Sequence, residues 1–379
     1  MKITRSLMAL CAGAMLVSCM PGSQETENAL RGHVIVGEPI PESVLLTSME
    51  RNHVPAVSIA VIRGGEIDWA RGYGVREAGS ADRVNDETLF QAASISKPVT
   101  AAAALRMVQA GELSLDESVN QRLRSWKVPE NEFTAKRPVT LRELLSHSAG
   151  LTVHGFPGYP QDAGLPTLVQ ILNGEMPANT EPVRVDIEPG TKFRYSGGGY
   201  IVAQQLMTDV EAQPFPNLMK KLVLQPAGMT GSTYEQPLAE GWRSRAAVGH
   251  SSKGEPMKGR WYTYPELAAA GLWTSPTDLA RFAIEIRRSY QGASGALLSQ
   301  AMAQTMLTRQ VDNYGLGFAL PSKGVFRFQH GGSNIGYRCH LVLSVETGDG
   351  VAVMTNGDSG DALFKEIIAA IGAAYGWDV

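Results

Sequence analysis

Strand-forming segments stand at both ends of this chain, and the long stretch between them has the patterns of helices and loops. Two β-rich runs flank the turn Gly64-Gly65 and predict a hairpin; they are Val57 to Arg63 and Glu66 to Tyr73. Three further strand candidates precede an amphipathic helix at the carboxyl end; the four segments are Phe326 to Gln329, Tyr337 to Val345, Val351 to Thr355 and Asp361 to Ala374. The pattern predicts an α/β fold of the α+β type, with a central antiparallel sheet built from both chain ends and flanked by helices.

The middle of the chain predicts a helical region inserted between the two parts of this sheet. Its helix candidates are Pro98 to Ala110, Leu141 to His147, Tyr200 to Glu211, Phe215 to Val223 and Thr277 to Arg288. We assign one domain to residues 42–375, with its sheet part at about 42–93 and 291–379 and its helical part at about 94–290. A cleft between the two parts is where a binding site is expected.

The first residues have the pattern of an export signal. Lys2 and Arg5 precede a short apolar run that ends in Leu16-Val17-Ser18-Cys19. That tetrapeptide resembles the bacterial lipobox, in which the cysteine becomes the lipidated first residue of the mature protein. We therefore expect a signal peptide over 1–19, lipidation at Cys19 and a polar tether over 20–41. The alternative is an ordinary secretory signal with an incidental cysteine.

By the same resemblance, a residue other than Asp after the cysteine favours the outer membrane. We expect an exported protein on the periplasmic face of the cell envelope, attached to the membrane through its lipid alone. Cys339 is then the one cysteine that remains in the mature domain, so no internal disulfide is expected. A formal net charge of −3 and the lack of a basic block argue against nucleic acid as a partner.

The stretch Ser94-Ile95-Ser96-Lys97 stands where a loop becomes an alanine-rich helix. A serine hydroxyl is a weak nucleophile that needs a nearby base, and the spacing of three residues places Lys97 beside Ser94 on one helix face. The backbone N–H of Ser94 lies at the positive end of the helix dipole and could stabilise an oxyanion. The alternative is that Ser94 or Ser96 is merely a helix N-cap.

Several further motifs follow in order: Gly111 to Asp116, Thr140 to Leu151, Phe193-Arg194-Tyr195-Ser196-Gly197 and His330-Gly331-Gly332. Together with Phe90 to Lys97, they resemble the serine β-lactamase and penicillin-binding-protein superfamily. The similar branch contains class C β-lactamases, D-Ala-D-Ala carboxypeptidases, D-aminopeptidases and β-lactamase-like carboxylesterases. The resemblance covers roughly residues 42–375 and implies the β-lactamase/transpeptidase-like fold.

This resemblance implies acyl transfer without a cofactor or metal ion. Ser94 would form an acyl-enzyme, and Tyr195 would be the general base, with its pKa lowered by the positive charge of Lys97. Whether Lys97 or Tyr195 accepts the proton stays open, because the protons of such a pair belong to both groups. The backbone N–H groups of Ser94 and Ser333 would form the oxyanion hole. Gly331 and Gly332 would let a substrate lie close to the strand backbone.

Two positions depart from the motifs of the family. Gly197 stands where the second motif has an Asn that contacts the substrate amide, which puts efficient β-lactam hydrolysis in doubt. His330 stands where the third motif has a Lys, and we expect it to be only partly cationic and to bind Tyr195 or the substrate. The predicted function is hydrolysis of an ester or amide, carboxylesterase-like with weak β-lactamase activity.

Other functions remain open from the sequence. The substrate could be a small ester, a β-lactam or a D-amino-acid peptide, and a non-catalytic envelope protein that binds muropeptides or a partner is a further alternative. His147 and His154 lack the context of a metal site, and Gly357-Asp358-Ser359-Gly360 is typical of a turn followed by a helix N-cap.

Overall fold

A computed structural model describes residues 40–377 of the 379-residue chain. The predicted signal peptide, Cys19 and most of the predicted tether lie outside these residues. Within the described residues, no helix combines the length and the apolar character needed to cross a membrane. No group of three or more His, Cys, Asp or Glu side chains in this part of the chain is placed to hold a metal ion.

A five-stranded antiparallel sheet is the centre of the fold, with strand order β2-β1-β7-β6-β5. Its strands are β1 (Ala56–Arg63), β2 (Glu66–Gly74), β5 (Arg327–Asn334), β6 (Tyr337–Ser344) and β7 (Gly350–Thr355), and a separate two-stranded ladder joins β3 (Phe90–Gln91) to β4 (Trp273–Thr274). Because β1 pairs with both β2 and β7, the two chain ends meet in one sheet. This confirms the predicted architecture.

Helices cover both faces of the sheet and form the region inserted between its two halves. They are α1 (Glu42–Arg51), α2 (Ser96–Gln109), α3 (Glu132–Lys136), α4 (Leu141–Leu145), α5 (Leu168–Asn173), α6 (Gly197–Glu211), α7 (Phe215–Met219), α8 (Glu240–Arg243), α9 (Leu267–Ala270), α10 (Pro276–Tyr290), α11 (Gln300–Met306) and α12 (Gly360–Tyr375). Short 3₁₀ turns span Ala93–Ile95 and Val119–Gln121, and a π-helical turn at Lys220–Leu224 continues α7.

The alternation of side chains along the strands divides the core in two. On β1, Val57, Ile59 and Val61 point to the face that α1 and α12 cover. The intervening Ala60 and Ile62 belong to the larger core beneath the helical region. Both faces of β1 are therefore buried, which explains why its sequence is almost uniformly apolar.

Three element boundaries differ from the sequence prediction, each for a local reason. β5 continues through the glycines of His330-Gly331-Gly332 to Asn334, because pairing with β6 overrides the low strand propensity of glycine. α6 begins at Gly197, where the Ser196 side chain caps the first turn by accepting the N–H of Gly199. α4 ends at Leu145, so His147 lies outside the helix with a left-handed φ of 60°.

Candidate active site

The turn that carries Ser94 is held in a strained conformation. Ala93, directly before it, has a left-handed φ of 49°, an unfavourable region for a residue with a Cβ atom. The turn is held by the N–H of Ala92, which donates to the Leu272 carbonyl at 2.8 Å. Ser94 caps no helix, because no side-chain cap bond is made at the start of this turn or of α2. The N-cap alternative for Ser94 is therefore wrong.

Ser96 has a structural role instead. Its hydroxyl oxygen accepts the N–H of Leu272 at 3.0 Å, and its carbonyl accepts the Tyr234 hydroxyl at 3.0 Å. Both contacts fix the start of α2 to other segments of the inserted region. The hydroxyl of Ser94 is left for other partners.

Lys97 is buried directly beside Ser94. Its Nζ lies 3.1 Å from the Ser94 Oγ and donates to the Ala269 carbonyl at 2.9 Å. Within the described residues it makes no ion pair with a carboxylate. Burial lowers the pKa of its ammonium group to about 7. Near neutral pH a large fraction of Lys97 is thus an uncharged amine that can accept the Ser94 proton.

Tyr195 completes the group, but not in the protonation state that the sequence predicted. Its hydroxyl is hydrogen-bonded to Ser94, and its ring centroid lies 5.0 Å from the Lys97 Nζ. Burial raises the pKa of the Tyr195 phenol, and this effect outweighs the hydrogen bond with Ser94, which lowers it. The expectation that Lys97 lowers the pKa of Tyr195 is wrong, because an amine with a pKa of about 7 is uncharged in the alkaline range where a phenol titrates.

His330 lines the cleft, but its ring has a different charge and a different hydrogen-bond partner from those expected. Its Nε2 lies 3.0 Å from the Tyr314 hydroxyl and its Nδ1 2.6 Å from the Gly331 carbonyl, which places the ring proton on Nδ1. Burial, together with the nearby charge of Lys97, lowers the pKa of His330 to about 3. The ring is therefore neutral rather than partly cationic, and it binds Tyr314 rather than Tyr195.

The edge strand β5 forms the wall opposite Ser94. Gln329 exchanges two backbone hydrogen bonds with Ala319 on the side away from β6, at 3.0 Å each. Because strand residues alternate, Gly331 and Ser333 also direct their backbone groups away from β6. The side chain of Ser333 is exposed, and its N–H faces the cleft, where the predicted second oxyanion donor would have to be.

Gly332 lets β5 pack closely against the turn that carries Ser94. A Cβ atom at position 332 would lie 2.2 Å from the Ala92 carbonyl oxygen and 2.4 Å from the Cys339 Sγ. The thiol of Cys339 is fully buried and donates to the same carbonyl at 3.1 Å. Burial raises the pKa of the thiol, so Cys339 is a packing residue.

Gly197 offers no side chain to a substrate, and the space beside it is filled. A Cβ atom there would lie 2.8 Å from the Phe156 Cε2, and the N–H of Gly197 donates to the His154 carbonyl at 2.9 Å. The aromatic ring of Phe156 thus stands where a longer residue at position 197 would extend. Phe156 gives this part of the cleft wall an apolar surface.

A cleft of about 560 Å³ connects these groups. Among the described residues that line it, Lys97 is the one lysine or arginine, and Asp361 is the one carboxylate. Ala269, Ala270, Ala319 and Phe156 provide apolar surface. The cleft therefore contains a serine beside a buried amine, and no exposed lysine or arginine among its described lining residues is available to hold a substrate carboxylate.

Some residues of the site could not be recognised in the sequence. Tyr314 fixes His330, and Asn334 ties β5 to β3 by donating to the Gln91 Oε1 at 2.7 Å. Neither residue belongs to a motif. His147, whose sequence context gave no sign of a metal site, packs against Tyr195.

The family model described as Beta-lactamase matches residues 42–375. The chain belongs to this family, whose members are serine hydrolases. Protein flp of Staphylococcus aureus (strain NCTC 8325 / PS 47) is 22% identical over 328 residues, which are 83% of this chain and 62% of flp. The chain thus spans less than two thirds of that relative. Penicillin-binding protein 4 of Amycolatopsis lactamdurans is 26% identical over 334 residues, covering 83% of this chain and 84% of the relative.

Solved structures show the same fold. The octameric penicillin-binding protein homologue from Pyrococcus abyssi superposes with a TM-score of 0.73 at 24% identity, covering 89% of this chain and 77% of the other. EstCE1, a hydrolase with promiscuous acyltransferase activity, superposes with a TM-score of 0.72 at 20% identity. The match covers 93% of this chain and 99% of EstCE1. At these identities the likeness establishes the β-lactamase/transpeptidase-like fold, as the sequence predicted.

Proposed function

We propose that this protein is a carboxylesterase that hydrolyses neutral esters through an acyl-Ser94 intermediate, with at most weak β-lactamase activity. The observation that carries the proposal is the charge of the cleft. Lys97 is buried against Ser94, His330 is neutral and bound to Tyr314, and Asp361 is already paired with Arg338 at 3.1 Å. A β-lactam or a peptide with a free carboxyl end would meet no exposed lysine or arginine among the described lining residues, whereas a neutral ester needs none.

Acylation begins when the neutral Lys97 amine accepts the Ser94 proton and the Ser94 Oγ bonds to the ester carbonyl carbon. The carbonyl electrons move to oxygen, and the resulting oxyanion is stabilised by the N–H groups of Ser94 and Ser333. When the bond to the alcohol breaks, the departing oxygen takes a proton from the Tyr195 hydroxyl, and the Lys97 ammonium returns a proton to Tyr195. Water then repeats these steps on the acyl-enzyme and releases the acid.

The similarity to EstCE1 supports the proposal because the same fold carries a hydrolase there. The Phe156 ring beside Gly197 supports it because it adds apolar surface to the site. An apolar wall suits an acyl group without an amide. Because the fold also hosts a D-amino acid amidase in Ochrobactrum anthropi SV3, amide substrates belong in the test.

The deciding experiment compares kcat/KM for p-nitrophenyl butyrate, nitrocefin and D-phenylalanine amide, with Ser94→Ala as the blank. We expect ester turnover to exceed the other two by at least about 100-fold, which corresponds to a difference of about 2.7 kcal/mol in activation free energy. Fast Ser94-dependent turnover of nitrocefin or of the amide would replace the esterase assignment. Labelling by a fluorescent phosphonate separates an enzyme from a non-catalytic binder, since only a working nucleophile reacts.

We further propose that Cys19 carries a lipid that attaches the protein to the periplasmic face of the outer membrane. The pattern Leu16-Val17-Ser18-Cys19 supports this proposal. In a bacterial host fed an alkyne fatty acid, the protein should acquire the label and fractionate with membranes. A Cys19→Ser variant should lose both properties, and labelling that persists in the variant would contradict the proposal.

A further inference from the structure

His147 makes a separate contact with each of the three consecutive residues centred on Tyr195. Its backbone carbonyl accepts the N–H of Arg194 at 2.7 Å. Its ring packs against the Tyr195 ring, with 4.1 Å between the centroids and 32° between the planes. Its Nδ1 accepts the N–H of Ser196 at 3.1 Å. His147 therefore contacts every residue of the segment that presents the Tyr195 hydroxyl to Ser94.

The cost of placing a histidine here indicates a role beyond filling space. His147 has a left-handed φ of 60°, and the residue is 2% exposed. Its Nε2 is buried with no hydrogen-bond partner among the described residues. Since Nδ1 accepts a hydrogen bond, Nε2 carries the proton and is an unsatisfied donor. Strain and unsatisfied polar groups of this kind concentrate at functional sites.

Other side chains around the ring do not replace these contacts. Phe193, Tyr200 and Tyr314 pack around His147 at centroid distances of 5.9, 5.3 and 5.0 Å. Phenylalanine at position 147 would keep the packing but could not accept the Ser196 N–H. Asparagine would keep an acceptor and tolerate the left-handed backbone but would lose the ring contact.

We propose that His147 is a positioning residue that holds the Tyr195 hydroxyl against Ser94 during proton transfer. This inference rests on the proposed acyl-Ser94 chemistry. A displacement of a reacting group by about 1 Å can reduce the rate by about 100-fold. We therefore expect His147→Phe and His147→Asn each to lower kcat by about 10- to 100-fold, with KM changed less than about twofold because substrate binding is untouched.

A double-mutant cycle with Tyr195→Phe distinguishes positioning from general structural support. If His147 acts through the Tyr195 hydroxyl, its substitution should have little further effect once that hydroxyl is removed, within about threefold. The control is Phe282→Leu, a fully buried residue that stacks on Phe318 and is not among the residues that line the cleft. It should lower the melting temperature without changing kcat in either background.

Two rates are measured for each variant of the cycle, namely modification of Ser94 by a fluorescent phosphonate and ester turnover. The melting temperature is measured for every variant as well. If the purified protein reacts with the phosphonate but hydrolyses no ester, the esterase assignment fails while the cycle can still be read. Should His147→Phe prove insoluble, His147→Asn carries the same cycle. Equal fold-losses in the native background and in the Tyr195→Phe background would overturn the positioning role, and loss of the effect in the Tyr195→Phe background would support it.

Discussion

The two faces of the central sheet differ in what their buried side chains do. On the face covered by α1 and α12, β1 and β7 contribute valine and isoleucine at every second position, and these pack on aliphatic residues of α12 such as Leu363, Ile367 and Ile371. On the cleft side of the molecule, the buried residues next to Ser94 include Lys97, His147 and His330. The face covered by α1 and α12 has the apolar composition that favours stability. The cleft side instead buries polar and ionisable groups that oppose it.

The difference shows where folding free energy is gained and where it is lost. Apolar burial stabilises by about 25 cal/mol per Å², and the α12 face gains this with few buried polar groups. At the cleft, a desolvated amine, a left-handed alanine and an unsatisfied imidazole nitrogen all oppose folding. Active sites commonly trade stability for reactivity in this way. Variants on each side test whether stability and activity depend on different residues, from the largest expected effect on turnover to the smallest.

Replacing Lys97 with methionine should separate activity from stability most strongly. Loss of the proton acceptor should lower kcat/KM by about 10²–10⁴-fold. The melting temperature at pH 7 should rise, because a buried amine is exchanged for an apolar side chain of similar length. Ester turnover and differential scanning fluorimetry measure the two effects. A large fall in melting temperature would show that the Lys97 bond to the Ala269 carbonyl matters more than desolvation.

The same residue predicts a pH dependence with a definite sign. The Lys97 pKa is about 7 in the folded protein, against 10.5 for an ordinary lysine. Between these values the unfolded chain binds a proton that the folded protein does not, so stability should increase as pH rises through this window, by about 1.4 kcal/mol per unit at most. The stability advantage of Lys97→Met should thus shrink from pH 7 to pH 10.

Turnover by the native protein should fall below pH 7, and a flat profile down to pH 5 would contradict Lys97 as the acceptor.

Removing one backbone N–H from the edge strand should have the next largest effect. Ser333→Pro deletes the donor that faces the cleft, and the edge position tolerates proline because that N–H is not used in pairing with β6. We expect a loss of about 10²–10³-fold in kcat. Ser333→Ala is the matched control, since it removes the side chain and keeps the N–H. If both variants lose activity equally, the oxyanion role of the backbone is wrong.

A substitution on the opposite face should affect stability without affecting chemistry. Ile367→Ala removes a fully buried side chain of α12 and should destabilise the protein by about 2–5 kcal/mol. The kcat of the folded fraction should stay within about twofold of the native value, because α12 meets the cleft only at its first residues. Denaturant titration and active-site-normalised turnover measure this. A matching loss of kcat would mean that the two faces are coupled.

Several parts of the site were predictable because they depend on local spacing. Ser94 and Lys97 are three residues apart at a helix start, so their contact follows from helix geometry. The alternation of β5 likewise directs the Ser333 N–H away from β6. The partners of Tyr195 and His330 were not predictable. His147 is 48 residues from Tyr195 and Tyr314 is 16 residues from His330, and nothing in the sequence links these pairs.

The sequence by itself determined the elements of the fold, the meeting of the two chain ends in one sheet, and the pairing of a serine with a lysine at a helix start. These follow from side-chain periodicity and from the short range of helix geometry. Only the tertiary structure decided the charge state of the site. Desolvation depends on every atom packed around a group, so the lowered pKa of Lys97, the protonated Tyr195 and the neutral His330 became evident only once distant segments enclosed them.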